Sequence, residues 1–184
     1  WVQGCRFRCT ETCINPALLS PDAGYTYACQ DVTEGILDSI RKSPFEVKGV
    51  TVLGGEPFEQ AAELSEVLTP LKAHSLTIMV YSGHTHKWLL RQRSKGIINL
   101  LALTDLLVDG PYLPDKYDPT LAWRGSTNQN LLCLSNAYTP ESLDAYFKEQ
   151  GKGFNVFYQA GKELSFSGLQ NLDVVKQIEN RLHS

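Results

Sequence analysis

No run of about 18 apolar residues occurs in this chain, so no membrane-spanning helix is expected. The first residues lack a charged start followed by an apolar core, so no signal peptide is expected either. Positive charge is not in excess. The 17 lysines and arginines face 20 aspartates and glutamates, giving a net charge of −3. That leaves no global positive field to recruit nucleic acid. Internal repeats and low-complexity segments are also missing. With 42% hydrophobic and 20% charged residues in a length of 184, disorder, collagen and small disulfide scaffolds are excluded. There is enough chain for one ordinary domain with a full core. Cysteine is scarce and odd in number, five in all, which argues against a closed disulfide framework. The chain opens at Trp1 without a methionine, so part of a leading strand is expected to be missing.

What cysteine there is lies concentrated at the start. "WVQGCRFRCTETCINP" holds Cys5, Cys9 and Cys13 at four-residue intervals. Thiolates close together on a loop can wrap an iron–sulfur cluster. A four-iron cubane held by three cysteines keeps one iron open for a substrate or cofactor. The same spacing also suits one buried helix face, or zinc. Arg6, Arg8, Thr10, Glu11 and Thr12 between the cysteines, with Pro16 close behind, fit a helix poorly. The metal reading implies a reducing compartment, the cytoplasm.

Further along, strands and helices alternate. A helix is predicted over about Thr33 to Lys42, with Asp31 as N-cap and Glu34 three residues on. "KGVTVLGG" reads as a buried strand ending in a glycine turn. "EQAAELSEVLTPLKAH" carries a helical apolar stripe through Ala62, Leu64, Val67, Leu68 and Leu71, with Pro70 expected to kink or shorten its last turn. "SLTIMVYSG" and "TDLLVDG" are two more strands. Between them "THKWLLRQRSKG" is a helix with Gly96 as its stop. "NLLCLS" is a fourth strand, and the alternation predicts a parallel sheet with helical crossovers. The tail differs: a helix at "TPESLDAYFKEQG", paired strands at "FNVFYQ" and "ELSFSG", and a closing helix at "LDVVKQIENRLHS". It is expected to form a small α+β appendage, residues 136–184, packed on a core of residues 1–135.

Three of these strands end in polar, glycine-containing turns. In parallel α/β sheets that edge is where ligands bind. "LGGEP" supplies Gly54 and Gly55, which permit close backbone approach, and Glu56, an acceptor for a ligand amine. It also reads as a tight strand-to-helix turn with an acid in the first helical turn. "YSGHT" and "VDGPY" add Ser82, Gly83, Asp109 and Gly110, where Ser and Asp suit ribose hydroxyls or other polar groups. His84 and His86 lack local partners for a metal, and Thr85 suits a helix cap. Cys133 sits in an apolar strand and is expected in the core. Arg124, Ser126, Asn128 and Gln129 of "WRGSTNQN" either grip a ligand or tie the loop to its own turns.

Taken together, "WVQGCRFRCTETCINP", "GGEPFEQ", "YSGHT", "LLVDGPY" and "LAWRGSTNQ" resemble the radical S-adenosylmethionine enzymes. They are most similar to the activating proteins of anaerobic ribonucleoside-triphosphate reductase and other glycyl-radical activases. The motifs stand in the family's order over residues 1 to about 134; the tail carries little of the likeness.

The resemblance implies an α/β fold, a partial (β/α) barrel of the radical SAM type. It implies a [4Fe-4S] cluster on Cys5, Cys9 and Cys13, with S-adenosyl-L-methionine chelating the fourth iron through its amino and carboxylate groups. Reductive cleavage then yields methionine and a 5′-deoxyadenosyl radical, which abstracts hydrogen from a glycine of a partner reductase. On the same basis Gly54, Gly55 and Glu56 contact the methionine amino group, and Ser82 and Asp109 belong to the cofactor pocket. The implied partners are a glycyl radical enzyme, the anaerobic ribonucleoside-triphosphate reductase, and a reducing protein such as flavodoxin or ferredoxin. Neither nucleic acid nor membrane is implied. The chain departs from the family at one point: Cys9 and Cys13 are separated by three residues, Thr10, Glu11 and Thr12, where the family has two. Two further readings follow. One is a radical SAM enzyme acting on another substrate. The other is a non-catalytic barrel-type binding module that has lost its cluster.

Overall fold

Apolar runs that end in glycine turns become the strands, and the stretches with apolar residues at helical spacing cover them. In the computed structural model residues 1–8, 13, 15–150, 155–157 and 165–167 are described. In chain order the elements are α1 (Cys29–Lys42), β1 (Gly49–Val52), α2 (Ala61–Ala73), β2 (Thr77–Tyr81), α3 (His86–Arg91), α4 (Lys95–Leu103), β3 (Leu106–Asp109), β4 (Asn130–Cys133), α5 (Pro140–Gln150), β5 (Asn155–Phe157) and β6 (Ser165–Ser167). A 3-10 turn, Pro57–Gln60, leads into α2. The fold is mixed α/β, with a four-stranded sheet in the order β1-β2-β3-β4 and a separate β5-β6 pair. No helix of the described residues is long and apolar enough to cross a membrane.

β1, β2 and β3 run parallel, with Thr51 opposite Met79 and Met79 opposite Leu106. β3 is buried along its whole length, as its unbroken apolar run requires. The expected fourth strand exists but runs antiparallel, Asp109 facing Asn130 and Leu106 facing Cys133. The reason lies in the connection. A parallel return needs a crossover, usually helical. Residues 110–129 instead form a loop with one 3-10 turn, Pro114–Lys116, so the chain re-enters from the edge where β3 left.

The helices also correct some sequence expectations. α1 starts at Cys29 with Ala28 as N-cap, so Asp31 is not the cap but an acid in the first turn, where the macrodipole still favours it. α2 continues through Pro70 to Ala73. Gly96 does not stop a helix: it lies inside α4, a helix the sequence did not announce. A Cβ there would sit 3.0 Å from the Ala62 nitrogen. Its missing side chain lets α4 lie close against α2. Leu68, Leu71, Ile78, Val80, Leu89, Leu100 and Leu107 form the centre of the core. β5 and β6 pair antiparallel as expected, and Leu143 of α5 is buried. The predicted closing helix at residues 172–184 lies outside the described residues.

One buried carboxylate ties the sheet together at the end remote from the glycine turns. Asp105 is 1% exposed. It accepts from the Ile78 N–H (2.7 Å), from Lys72 Nζ (2.5 Å) and from the Ser135 hydroxyl. Burial works against its ionisation, but Lys72, Ser135 and the Ile78 N–H outweigh it and hold the carboxyl below its usual range. Its stabilisation is therefore complete above the unfolded value near ~3.9 and is lost as pH falls through the lower folded value. Asp105→Asn should lower stability by about 2 kcal/mol at pH 7, a figure discounted for the partly exposed Lys72. Chemical denaturation at pH 7 and below about pH 4 checks both points, since the gap between wild type and variant should close on acidification.

Candidate active site

The first five residues do not hang free. Val2 bridges to Gly54 in parallel: its N–H donates to Leu53 O (2.8 Å) and its carbonyl accepts from Gly55 N–H (2.8 Å). Gly4 O then accepts from Glu56 N–H (2.8 Å). The opening residues thus lie alongside the end of β1. The contact is tight enough to need both glycines. Gly54 has φ +128, and a Cβ there would lie 2.5 Å from Val2 O; at Gly55 it would lie 2.0 Å from Gly4 O. The close approach expected of a ligand is in part made by the chain's own strand.

The cysteine loop departs from this strand through a closed neck. Gly4 N–H donates to Leu18 O (2.9 Å) and Cys5 N–H to Leu19 O (3.0 Å). Gln3 Nε2 donates to Ala17 O (2.9 Å) and Ser20 O (2.6 Å). Arg6 N–H donates to Glu59 Oε1 (2.7 Å), which ties the loop to the turn after Glu56. Burial, with Glu56 and Glu59 nearby, pushes the Cys5 thiol up, against the backbone N–H groups of Arg8 and Phe7 that face its sulfur. Cys13 Sγ accepts from Asn15 N–H (3.4 Å). Both thiols are half-buried. Cys9 lies outside the described residues, and among the described residues no cluster of three or more His, Cys, Asp or Glu is arranged to hold a metal.

Glu56 joins the first two strand ends. It is 2% exposed. Oε1 accepts from Phe58 N–H (3.0 Å) and Ser82 Oγ–H (2.9 Å), and Oε2 accepts from Gly83 N–H (2.8 Å). Burial pushes its carboxyl up while these three donors pull it down. The side chain expected to meet a ligand amine is engaged with the protein. Ser82, likewise buried, accepts from His84 N–H (3.0 Å).

Asp109 joins the rest of the rim. Its carboxylate accepts from His86 N–H (2.6 Å) and Asn130 Nδ2 (2.8 Å). Gly110 N–H donates to His84 O (3.1 Å), and Gly110 O accepts from Gln129 Nε2 (3.1 Å). Gln129 Oε1 accepts from Gly125 N–H (2.9 Å) and Ser126 N–H (3.2 Å). Ser126 and Gln129 therefore tie their loop to its own turns. Arg124 Nε and Asn128 Oδ1, by contrast, are buried with no hydrogen-bond partner among the described residues.

The His84 ring packs among aromatic side chains. The His84 ring lies 4.4 Å from that of Phe7 and stacks on Trp88 at 3.8 Å, and burial holds its pKa down. Thr85 caps α3 as expected, accepting from Trp88 N–H (3.3 Å). Cys133 is half-buried in β4 rather than fully in the core, and Cys29 Sγ donates to Glu63 O (3.7 Å).

With this geometry in place, comparison with known proteins is decisive. The 4Fe-4S single cluster domain family matches residues 1–132. An anaerobic ribonucleoside-triphosphate reductase-activating protein of Vibrio cholerae is 30% identical over 134 residues, 70% of this chain and 82% of that protein. The chain belongs to this family. Activating proteins of the same name from Haemophilus influenzae and Escherichia coli K12 are 29% and 26% identical, each over 70% of this chain and 82% of theirs.

For this activating-protein family member, sequence reading located the strand-end residues but missed those that contact residues 3–7 or supply such a contact: Phe7, Glu59 and Gln60. Gln60 Nε2 donates to Gln3 O. Phe7, an apolar residue between two arginines, was the available signal. The glycines give a direct test. Gly55→Ala should cost about 3 kcal/mol or more, because backbone must move. Gly35→Ala, within α1 and with nothing within 4 Å of its Cβ, should stabilise by about 0.5–1 kcal/mol. Thermal unfolding of the two variants checks the contrast.

Proposed function

We propose that this chain is a radical S-adenosylmethionine activase acting on a glycyl radical enzyme, the anaerobic ribonucleoside-triphosphate reductase. The observation that carries the reading is the bonded continuity from the cysteine loop through Gly4 O and Glu56 N–H to Ser82, Gly83, His84 and Gly110. One rim brings together the residues of the family's separate motifs.

The residues fit the cofactors. Cys5, Cys9 and Cys13 would hold a [4Fe-4S] cluster: soft thiolates suit iron, and the two described thiols are half-buried on a loop anchored at its neck. Gly54, Gly55 and Glu56 would receive the methionine end of S-adenosyl-L-methionine, with the buried Glu56 fixing the turn. Ser82 and Asp109 support the pocket by holding the next two turns. The unpartnered Arg124 Nε and Asn128 Oδ1 offer a donor and an acceptor, as a polar ligand requires. When bound, the cluster on these cysteines would supply the electron for reductive cleavage of S-adenosyl-L-methionine. The chain's own part is to bind, orient and exclude water.

Three parallel strands, extended by the Val2 bridge, support a partial (β/α) barrel. Residues 1–135 would form the core and residues 136–184 an appendage packed on it. The buried Leu143 and the edge contact of Phe147 with Trp123, 4.8 Å between centroids, support that packing. Flavodoxin or ferredoxin would supply the electron, in the cytoplasm.

Anaerobic iron–sulfur reconstitution followed by electron paramagnetic resonance tests the reading. A reduced four-iron signal that changes when S-adenosyl-L-methionine is added is expected. A cluster indifferent to the cofactor, or none, would sink it and favour the binding module. Arg124→Ala should weaken S-adenosyl-L-methionine binding about 10- to 100-fold, the loss of a hydrogen bond to a charged group. Iron content should stay unchanged. Equilibrium binding and iron analysis on the same sample check this.

A further inference from the structure

Phe7 lies two residues from Cys5 and two from Cys9, flanked by Arg6 and Arg8. Both arginines are exposed and Phe7 is not. Its ring rests on the turn after β2. A Cβ on Gly83 would lie 2.6 Å from Phe7 Cδ1 and 2.7 Å from Cε1. Gly83 does not have a positive φ, so its backbone does not require glycine. The ring explains why residue 83 has no side chain. The seat is firm. Gly83 N–H is held by the buried Glu56 carboxylate, and the neighbouring His84 ring is backed by Trp88 at 3.8 Å.

We propose that Phe7 is the positioning residue of the cysteine loop: seated on Gly83 and His84, its ring fixes the loop before a cluster binds and governs how firmly the cluster is kept. The inference rests on reading Cys5, Cys9 and Cys13 as the cluster ligands. The physical reason is preorganisation. A loop that must be ordered at the moment of binding charges its conformational entropy to the complex, and one already docked does not. The neck bonds at Gly4 and Cys5 and the Arg6–Glu59 bond order the start of the loop. The Phe7 side chain adds a contact to Gly83 and His84 two residues further along. It needs glycine at 83, which links the cysteine motif to the "YSGHT" motif 76 residues on from Phe7.

The experiment compares wild type, Phe7→Ala, Phe7→Tyr, Gly83→Ala and the Phe7→Ala/Gly83→Ala double variant after identical anaerobic reconstitution. It reads the rate at which a chelator removes iron, the visible cluster absorption, and the melting temperature of each iron-free chain. Phe7→Ala should lose iron about tenfold faster than wild type, with the melting temperature of its iron-free form little changed. Phe7→Tyr should restore retention. Gly83→Ala should reproduce the loss by displacing the ring, and the double variant should be no worse than the worse single, since both remove one contact. If Gly83→Ala does not fold, Phe7→Ala against Phe7→Tyr decides alone. Phe7→Ala retaining iron like wild type, or effects that add in the double variant, overturns the inference. A wild-type chain that takes up no cluster overturns the functional reading itself, and the inference with it.

Discussion

The rim of this sheet depends on the buried carboxylate of Glu56. Remove its three bonds and the first and second strand ends lose their tie, and the seat under Phe7 loses its anchor. Magnitudes show what the group is for. Three hydrogen bonds to a charged acceptor are worth about 1.5–3 kcal/mol each. Taking a carboxylate out of water costs several kcal/mol. Burial outweighs the donors and holds the carboxyl above its usual range, so the ionised Glu56 is not there for stability. What it adds is geometry: a fixed distance between two turns that nothing apolar could hold with the same directionality. The raised pKa set by burial is the trace of that balance.

The same logic separates the two buried acids of the sheet. Asp105, remote from the rim, has a cation beside it, and its carboxyl is held below the usual range. Among the described residues Glu56 has neutral donors only, and its carboxyl is held above it. Lys72 makes Asp105 a contributor to stability. At the rim a cation beside Glu56 would occupy the space a ligand approaches and would compete for the turns that Glu56 holds. Neutral backbone N–H groups fix the turns without adding a charge.

Much of this was legible in the sequence. β1, β2 and β3 read correctly because each is an apolar run closed by a glycine turn, and the positions of Gly54, Ser82 and Asp109 at one edge followed from their being parallel. Four things were not legible. The direction of β4 was hidden because an apolar four-residue strand carries no sign of its orientation; the loop before it decides. α4 was hidden because "KGIINLLAL" is apolar almost throughout, with Gly96 mimicking a stop, and only the close approach to Ala62 shows why glycine belongs inside that helix. The partners of Glu56 were hidden for a related reason. An acid in a turn looks available to a ligand until its partners, 26 and 27 residues away, are known. Phe7 was passed over because its contact is with the same distant turn.

The departure in cysteine spacing takes its meaning from the neck of the loop. Gly4 is bonded to Leu18, Cys5 to Leu19, and Gln3 to Ala17 and Ser20. These contacts set where the loop leaves the sheet and where it returns. The extra residue between Cys9 and Cys13 falls inside that closed interval, so it leaves the register of the neck, the Val2–Gly54 bridge and the Glu56 network as they are. Lengthening a loop whose ends are already joined changes its closure entropy by well under about 0.6 kcal/mol, the cost of a full doubling. A residue added outside the neck would instead shift Gly4 against Gly55, where a single Cβ cannot be accommodated. The variation in spacing therefore falls between the two sides of the neck, where those bonds do not fix the number of residues.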